Sequence, residues 1–337
     1  MLNNKSILVT GGTGSFGKKF ILTIFKKFTP KKVIVFSRDE LKQYQMQQMD
    51  PFKIHEDKIR YFIGDVRDAR RLEMAFENVD CVIHAAALKQ VPAAEYNPFE
   101  AIKTNIHGAQ NVIEAALKNN VKLVVALSTD KAAAPINLYG ATKLVSDKLF
   151  ISANNYRGFR DVKFSVVRYG NVMGSRGSVI PLFLSRKTTG FIPITDDRMT
   201  RFNITLQQGV DFVLDVLLRM YGGEIFVPKI PSYKILDLAD AIAPECKIKV
   251  IGIRPGEKIH EEMITESDSI NTIEFDKYFV ILPTAGLCDK DVYIGKCGTP
   301  YGKFCEYGFK YSSDTNRHFL SKDDLKTLLK ENRIDLD

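Results

Sequence analysis

The sequence predicts an α/β protein built on a doubly wound parallel sheet, with a smaller unit in its C-terminal half. Three observations carry this. Short apolar runs of strand length alternate with amphipathic stretches through residues 1–170, the pattern of a parallel sheet covered by helices on both faces. The first run leads directly into Gly11-Gly-Thr-Gly14-Ser-Phe-Gly17. After Arg168 the rhythm yields to Gly, Pro and Thr punctuation, which marks loops and short elements.

The strand candidates are Ile7 to Thr10, Lys32 to Phe36, Ile59 to Ile63, Cys81 to Ala85, Leu123 to Leu127 and Phe164 to Val167. Between them, stretches such as Asn111 to Lys118 set Val112, Ile113, Ala116 and Leu117 on one helical face. Gly174 to Pro181 and Ile192 to Asp197 read as loops and short elements, where ligand contacts often reside. A helix from Leu206 to Met220 and a strand from Glu224 to Val227 return to the main sheet. Residues 171–204 and 229–337 are expected to form the smaller unit, with 286–308 a long irregular excursion.

Composition narrows the function classes. The chain has 337 residues, 45% of them hydrophobic, enough for one large core and a second, smaller one. The net charge of +8 is spread along the chain rather than gathered with aromatics, which argues for anionic small molecules over nucleic acid. No apolar run approaches the length of roughly eighteen residues that a membrane helix needs, and Met1 to Lys5 lead straight into Ser6 to Thr10 without a signal-peptide pattern. A cytoplasmic protein without membrane or nucleic-acid partners is expected. Cys288, Cys297 and Cys305 have no Cys-x-x-Cys or partnered His spacing, so reduced thiols and no metal are expected.

The glycine run between a strand and a helical stretch fits a dinucleotide. Gly11, Thr13, Gly14, Ser15, Phe16 and Gly17 form a turn that lets a pyrophosphate approach the helix N-terminus, whose free amides and dipole favour it. This is the signature of the Rossmann-type fold. At the end of the second strand, where an acid would bind the ribose hydroxyl of NAD, stands Ser37, followed by Arg38-Asp39-Glu40-Leu41-Lys42. The hydroxyl and the two cations favour the 2′-phosphate of NADP, while Asp39 and Glu40 leave NAD open. Asp65 and Val66 follow the third strand, where adenine would lie, and Ala85, Ala86 and Ala87 follow the fourth, where small side chains admit the rest of the cofactor.

Tyr139-x-x-x-Lys143 sets a phenol and an amine one turn apart on a helix. A phenol of ordinary pKa about 10 becomes a base near neutrality when an ammonium and an oxidised nicotinamide stabilise its phenolate. Just upstream, Ser128-Thr129-Asp130-Lys131 adds a carboxylic acid and a second amine, more equipment than alcohol oxidation requires. Burial beside Lys143 and a cationic nicotinamide is expected to lower the pKa of Lys131.

These residues resemble the extended short-chain dehydrogenase/reductase family, and closely its inverting UDP-N-acetylglucosamine 4,6-dehydratases of pseudaminic acid biosynthesis. The resemblance rests on the glycine turn, Ser37 to Lys42, Gly64 to Asp68, His84 to Lys89, Ala94 to Pro98, Ser128 to Lys131, Tyr139 to Lys143, Arg168 to Val172, Met199 to Phe202 and Arg254 to Lys258. One departure is Gln90, where some relatives carry His. The resemblance implies that Tyr139, with Thr129 and Lys143, serves transient oxidation at carbon 4 of the hexose. Lys131 would then take the carbon-5 proton and Asp130 would protonate the hydroxyl leaving carbon 6. Retaining dehydratases carry Asp-Glu where this chain has Asp130-Lys131, so Lys131 favours inversion at carbon 5. The resemblance further implies substrate contacts from Lys89, Asn171, Arg254 and Glu257, with Arg176 and Arg201 as further anion contacts, and a homo-oligomer, of which a hexamer is one form. The competing readings are a nucleotide-sugar 4-epimerase, which needs no Asp130-Lys131 pair, a retaining dehydratase, and a dinucleotide-binding regulatory protein without turnover.

Overall fold

The computed structural model describes residues 2–175, 178–283, 302–332 and 334. Six strands build the first half: β1 (Ser6–Thr10), β2 (Lys32–Ser37), β3 (Ile59–Ile63), β4 (Cys81–His84), β5 (Leu123–Thr129) and β6 (Lys163–Tyr169). They lie parallel in the order β3-β2-β1-β4-β5-β6, and Ile225–Pro228 continues the sheet beside β6, also parallel. Ile7, Leu8, Val9, Val82, Ile83, Val124 and Val125 are fully buried, because helices cover both faces. The order reverses between β1 and β4, which opens a crevice at the strands' carboxyl ends where such sheets bind ligands.

Beyond Ile225–Pro228 the sheet gains Tyr278–Ile281, Thr272–Glu274 and Lys303–Phe304, all antiparallel. Residues 272–281, expected in the smaller unit, thus extend the large sheet. Ile273, Phe279 and Val280 are apolar enough to bury against the main core, and their short length hid this in the sequence. The excursion expected at 286–308 lies mostly outside the described residues, although its end carries the Lys303–Phe304 strand.

A second core collects Phe183, Ile192, Ile194, Leu238, Ile242, Leu325 and Leu329. It is made by the Val179–Arg186, Ile235–Ile242 and Lys322–Glu331 helices with the Phe191–Ile194 strand. Two side chains moor the neighbouring 254–258 loop to the first half. Asn137 donates through Nδ2 to the Gly256 carbonyl at 2.8 Å, and Lys258 donates through Nζ to the Ala133 carbonyl at 2.7 Å. No described helix is long and apolar enough to cross a membrane.

Candidate active site

The dinucleotide turn starts at the end of β1. Gly11 has φ +65°, and a Cβ there would meet the Ala85–Ala86 backbone at 3.0–3.1 Å, so the residue must be glycine. The Ser15–Lys27 helix begins at Gly14 with no side-chain cap. Its first amides therefore have no side-chain acceptor of their own, which fits a pyrophosphate. Thr10 Oγ1 accepts from the Ala85 and Ala86 amides at 3.1 and 3.2 Å, fixing the β4 end beside the turn. The cleft above is lined by Gly11, Thr13, Gly14, Ser15, Ser37, Arg38, Lys42, Asp65, Val66 and Ala85 to Ala87, and Phe16 and Gly17 line its continuation toward Tyr139.

Three expected cofactor residues do not line that cleft. Asp39 caps the Glu40–Gln48 helix, accepting from the Lys42 amide at 2.9 Å, while Glu40 and Leu41 are exposed in its first turn. The same carboxylate holds Lys42 Nζ at 2.7 Å, and Arg38 stands 3.9 Å from Asp65. Ser37 Oγ shares a 2.9 Å hydrogen bond with Thr13 Oγ1. Both cations invoked for a 2′-phosphate thus already face carboxylates, which offset their charge.

Catalytic candidates meet where β5 ends. Thr129 caps the short Asp130–Ala132 turn, and the Leu138–Tyr156 helix packs on that turn, capped by Asn137 Oδ1 on the Gly140 amide at 2.8 Å. A Cβ at Gly140 would collide with the Lys131 carbonyl oxygen. Glycine beside Tyr139 is therefore what brings the phenol against Asp130 and Lys131. Tyr139 is linked to the Thr129 hydroxyl, and burial pushes its pKa up to about 12, against the lowering effect of Lys131. Lys143 donates through Nζ to the Leu127 carbonyl at 2.7 Å. Its pKa is lowered by burial, opposed by Asp147.

Lys131 departs from expectation. Its Nζ lies 3.1 Å from Asp130 Oδ1 and 2.9 Å from Glu261 Oε1. Burial disfavours its charge, but the two carboxylates outweigh burial and raise its pKa. The expected lowering by Lys143 is corrected: two anions, rather than a cation, stand nearest. Burial raises the Asp130 pKa, aided by Glu261 and opposed by Lys131, as suits a proton donor.

Lys89, Asn171 and Tyr139 line one cleft. Burial lowers the Lys89 pKa. Arg254 is largely exposed and pairs with Glu257 at 3.5 Å. Arg201, expected to meet an anion of the substrate, is instead buried and donates to the carbonyls of Thr200, Lys258 and Ile259 at 2.8–2.9 Å. It faces Glu257 at 3.7 Å and Glu261 at 4.0 Å. Its planar fork is spent inside the protein. Arg176 lies outside the described residues. Among those described, no group of three or more His, Cys, Asp or Glu side chains is placed to hold a metal ion.

Two charged groups near the site escaped the sequence reading. Glu261 stands in Lys258-Ile-His-Glu-Glu262, a polar run that reads as surface. Asp147, one turn after Lys143, accepts from Ser128 Oγ at 2.7 Å and from Arg168 at 3.3 Å. The Tyr139, Lys143, Asp147 spacing was its one available signal.

The model of the family described as polysaccharide biosynthesis protein matches residues 7–283. The chain belongs to that family. It is 55% identical to the UDP-N-acetylglucosamine 4,6-dehydratase (inverting) of Campylobacter jejuni, over 98% of each chain. It is 41% identical to the UDP-glucose 4-epimerase of Rickettsia canadensis, covering 83% of this chain and 84% of that one. Among solved structures, Pen from Bacillus thuringiensis superposes with a TM-score of 0.88 at 38% identity, covering 99% of this chain and 100% of that one. The dTDP-glucose 4,6-dehydratase DesIV from Streptomyces venezuelae shares the fold at a TM-score of 0.66 and 22% identity, over 75% and 86% of the two chains, and was solved with NAD. A Thermus thermophilus UDP-glucose 4-epimerase and MoeE5, of the same fold, also carry NAD. Against the NADP expectation, these three solved structures hold NAD, and in this chain Arg38 and Lys42 already face Asp65 and Asp39.

Proposed function

We propose that this chain is a UDP-N-acetylglucosamine 4,6-dehydratase that inverts carbon 5, a hydro-lyase giving UDP-2-acetamido-2,6-dideoxy-beta-L-arabino-hex-4-ulose. The observation that carries the reading is the 55% identity to the Campylobacter enzyme over 98% of both chains. An acid and a base beside the Tyr139 phenol, which a 4-epimerase does not need, support it.

The glycine turn, Ser37, Asp65, Val66 and Ala85 to Ala87 hold a nicotinamide dinucleotide, read as NAD. When bound, the dinucleotide would supply a hydride acceptor for carbon 4 and the hydride that returns to carbon 6. Tyr139, steadied by Thr129 and Lys143, takes the carbon-4 hydroxyl proton. The ketone so formed acidifies carbon 5. With the proton of the 3.1 Å Lys131–Asp130 pair resting on Asp130, the neutral Lys131 amine removes the carbon-5 proton as Asp130 donates its own to the departing carbon-6 hydroxyl, and reprotonation from the opposite face inverts the centre. Lys89 and Asn171 meet the sugar and diphosphate, while Arg254 suits phosphate by its fork and Glu257 a ribose diol. Residues 171–204 with parts of 229–337 would supply the sugar-nucleotide side. The reading carries with it a cytoplasmic homo-oligomer, which light scattering on purified protein tests.

Incubation with UDP-N-acetylglucosamine in deuterated water tests the reaction. A new carbon-6 methyl with deuterium at an inverted carbon 5 is expected; an unchanged sugar or a carbon-4 epimer overturns the reading. Mass analysis of the dinucleotide released on denaturation tests the cofactor, and a 2′-phosphorylated species overturns NAD.

A further inference from the structure

Glu261 immediately precedes the Glu262–Ile264 strand, beneath the acid–base pair. Its side chain is 3% exposed and its Oε1 lies 2.9 Å from Lys131 Nζ. Asp130 Oδ1 reaches the same nitrogen at 3.1 Å, so one ammonium lies between two buried carboxylates. Among the described residues, neither Glu261 Oε2 nor Asp130 Oδ2 has a hydrogen-bond partner. A buried carboxylate with an unused oxygen costs stability, so a packing role alone does not account for it. Arg201, on the Thr200–Ile204 strand, faces the Glu261 oxygen that Lys131 meets, Oε1, at 4.0 Å. The remaining charged or titratable neighbours are Tyr139 on its helix, Tyr233 on the Ser232–Lys234 strand and, in the adjoining loop, Glu257, Lys258 and His260.

We propose that Glu261 is a positioning residue of the elimination: it fixes the Lys131 amine beside Asp130, and its charge sets the pH window in which that pair works as base and acid. This rests on the dehydratase reading. The Glu261 carboxylate acts on both partners in the same sense, favouring the proton on Lys131 and on Asp130. Elimination needs Lys131 without its proton and Asp130 with one, so the pH dependence is a bell with one limb from each. Removing the charge lowers both limbs, and the whole bell moves toward acid.

The test compares pH profiles of kcat for the wild type, Glu261→Gln and Glu261→Asp. Glu261→Gln should shift the bell to lower pH by about one unit or more, while Glu261→Asp, which keeps the charge, stays at the wild-type position. A slower Glu261→Gln enzyme with an unmoved bell shows a merely structural residue and overturns the inference alone. A wild type that forms no dehydrated sugar overturns the dehydratase reading and the inference with it. Should Glu261→Gln not fold, the charge coupling is read from Lys131→Met, whose melting temperature should rise when Glu261→Gln is added. A further fall on adding it overturns the inference.

Discussion

His84 makes the protein acid-labile by an amount that can be worked out. It ends β4, is 1% exposed, and shares a 2.9 Å hydrogen bond through Nδ1 with Thr10 Oγ1. Its ring lies 5.5 Å from that of Phe150. Burial, with Lys143 adding to it, drops the pKa from 6.5 to about 3. The folded-state value is the depressed one, so the neutral ring's contribution is intact above pH 6.5 and is lost as pH falls toward about 3. Each pH unit in that window costs about 1.4 kcal/mol, so roughly 3 kcal/mol disappears between pH 6.5 and about pH 4. Urea unfolding of wild type and His84→Asn across this range isolates the effect. The lost hydrogen bond and altered packing contribute a pH-independent offset that cancels in the comparison. The stability gap between the two should narrow, or reverse, by about 3 kcal/mol on going to about pH 4. Parallel pH dependences would refute a buried neutral imidazole.

Three further outcomes follow from the site. Lys131→Met should abolish dehydration while fluorescence titration shows the dinucleotide still bound; undiminished product removes Lys131 from the mechanism. Gly140→Ala drives a Cβ into the Lys131 carbonyl and should cost about 1–3 kcal/mol of stability with a large loss of kcat; a wild-type melting curve and rate would contradict the packing argument. Asp147→Asn leaves the Arg168 guanidinium buried with its Met263 carbonyl contact at 3.0 Å but without its nearest carboxylate. It should destabilise by about 3 kcal/mol in urea, near the low end for a broken buried pair, and an unchanged midpoint would count against it.

The parallel half of the fold was legible because β1, β2 and β4 have continuous apolar centres, Ile7 to Val9, Val33 to Phe36 and Cys81 to Ile83, buried on both faces, a pattern that depends on no distant partner. Tyr139 and Lys143 were legible for the same reason, since helical spacing alone sets them together. What escaped depends on partners remote in sequence. Arg38 meets Asp65, 27 positions on, which its own surroundings do not reveal, whereas the Asp39–Lys42 pair is local, an i,i+3 spacing that was open to view. Glu261 is 130 positions from Lys131 in sequence and 2.9 Å away in space. Arg201 was read as a free cation because its three carbonyl acceptors are set by a strand and a loop that only the tertiary fold brings together.

The two hydrogen bonds that moor the 254–258 loop make it a mechanical extension of the chemistry. Asn137 caps the helix that carries Tyr139 while gripping Gly256, and Lys258 holds the backbone two residues beyond Lys131. A pull on Arg254 or Glu257 is therefore felt at both the phenol and the amine. The loop that carries Arg254 and Glu257 is thus tied by one hydrogen bond to the helix of Tyr139 and by another to the turn of Lys131, and losing either would free it from one of the two.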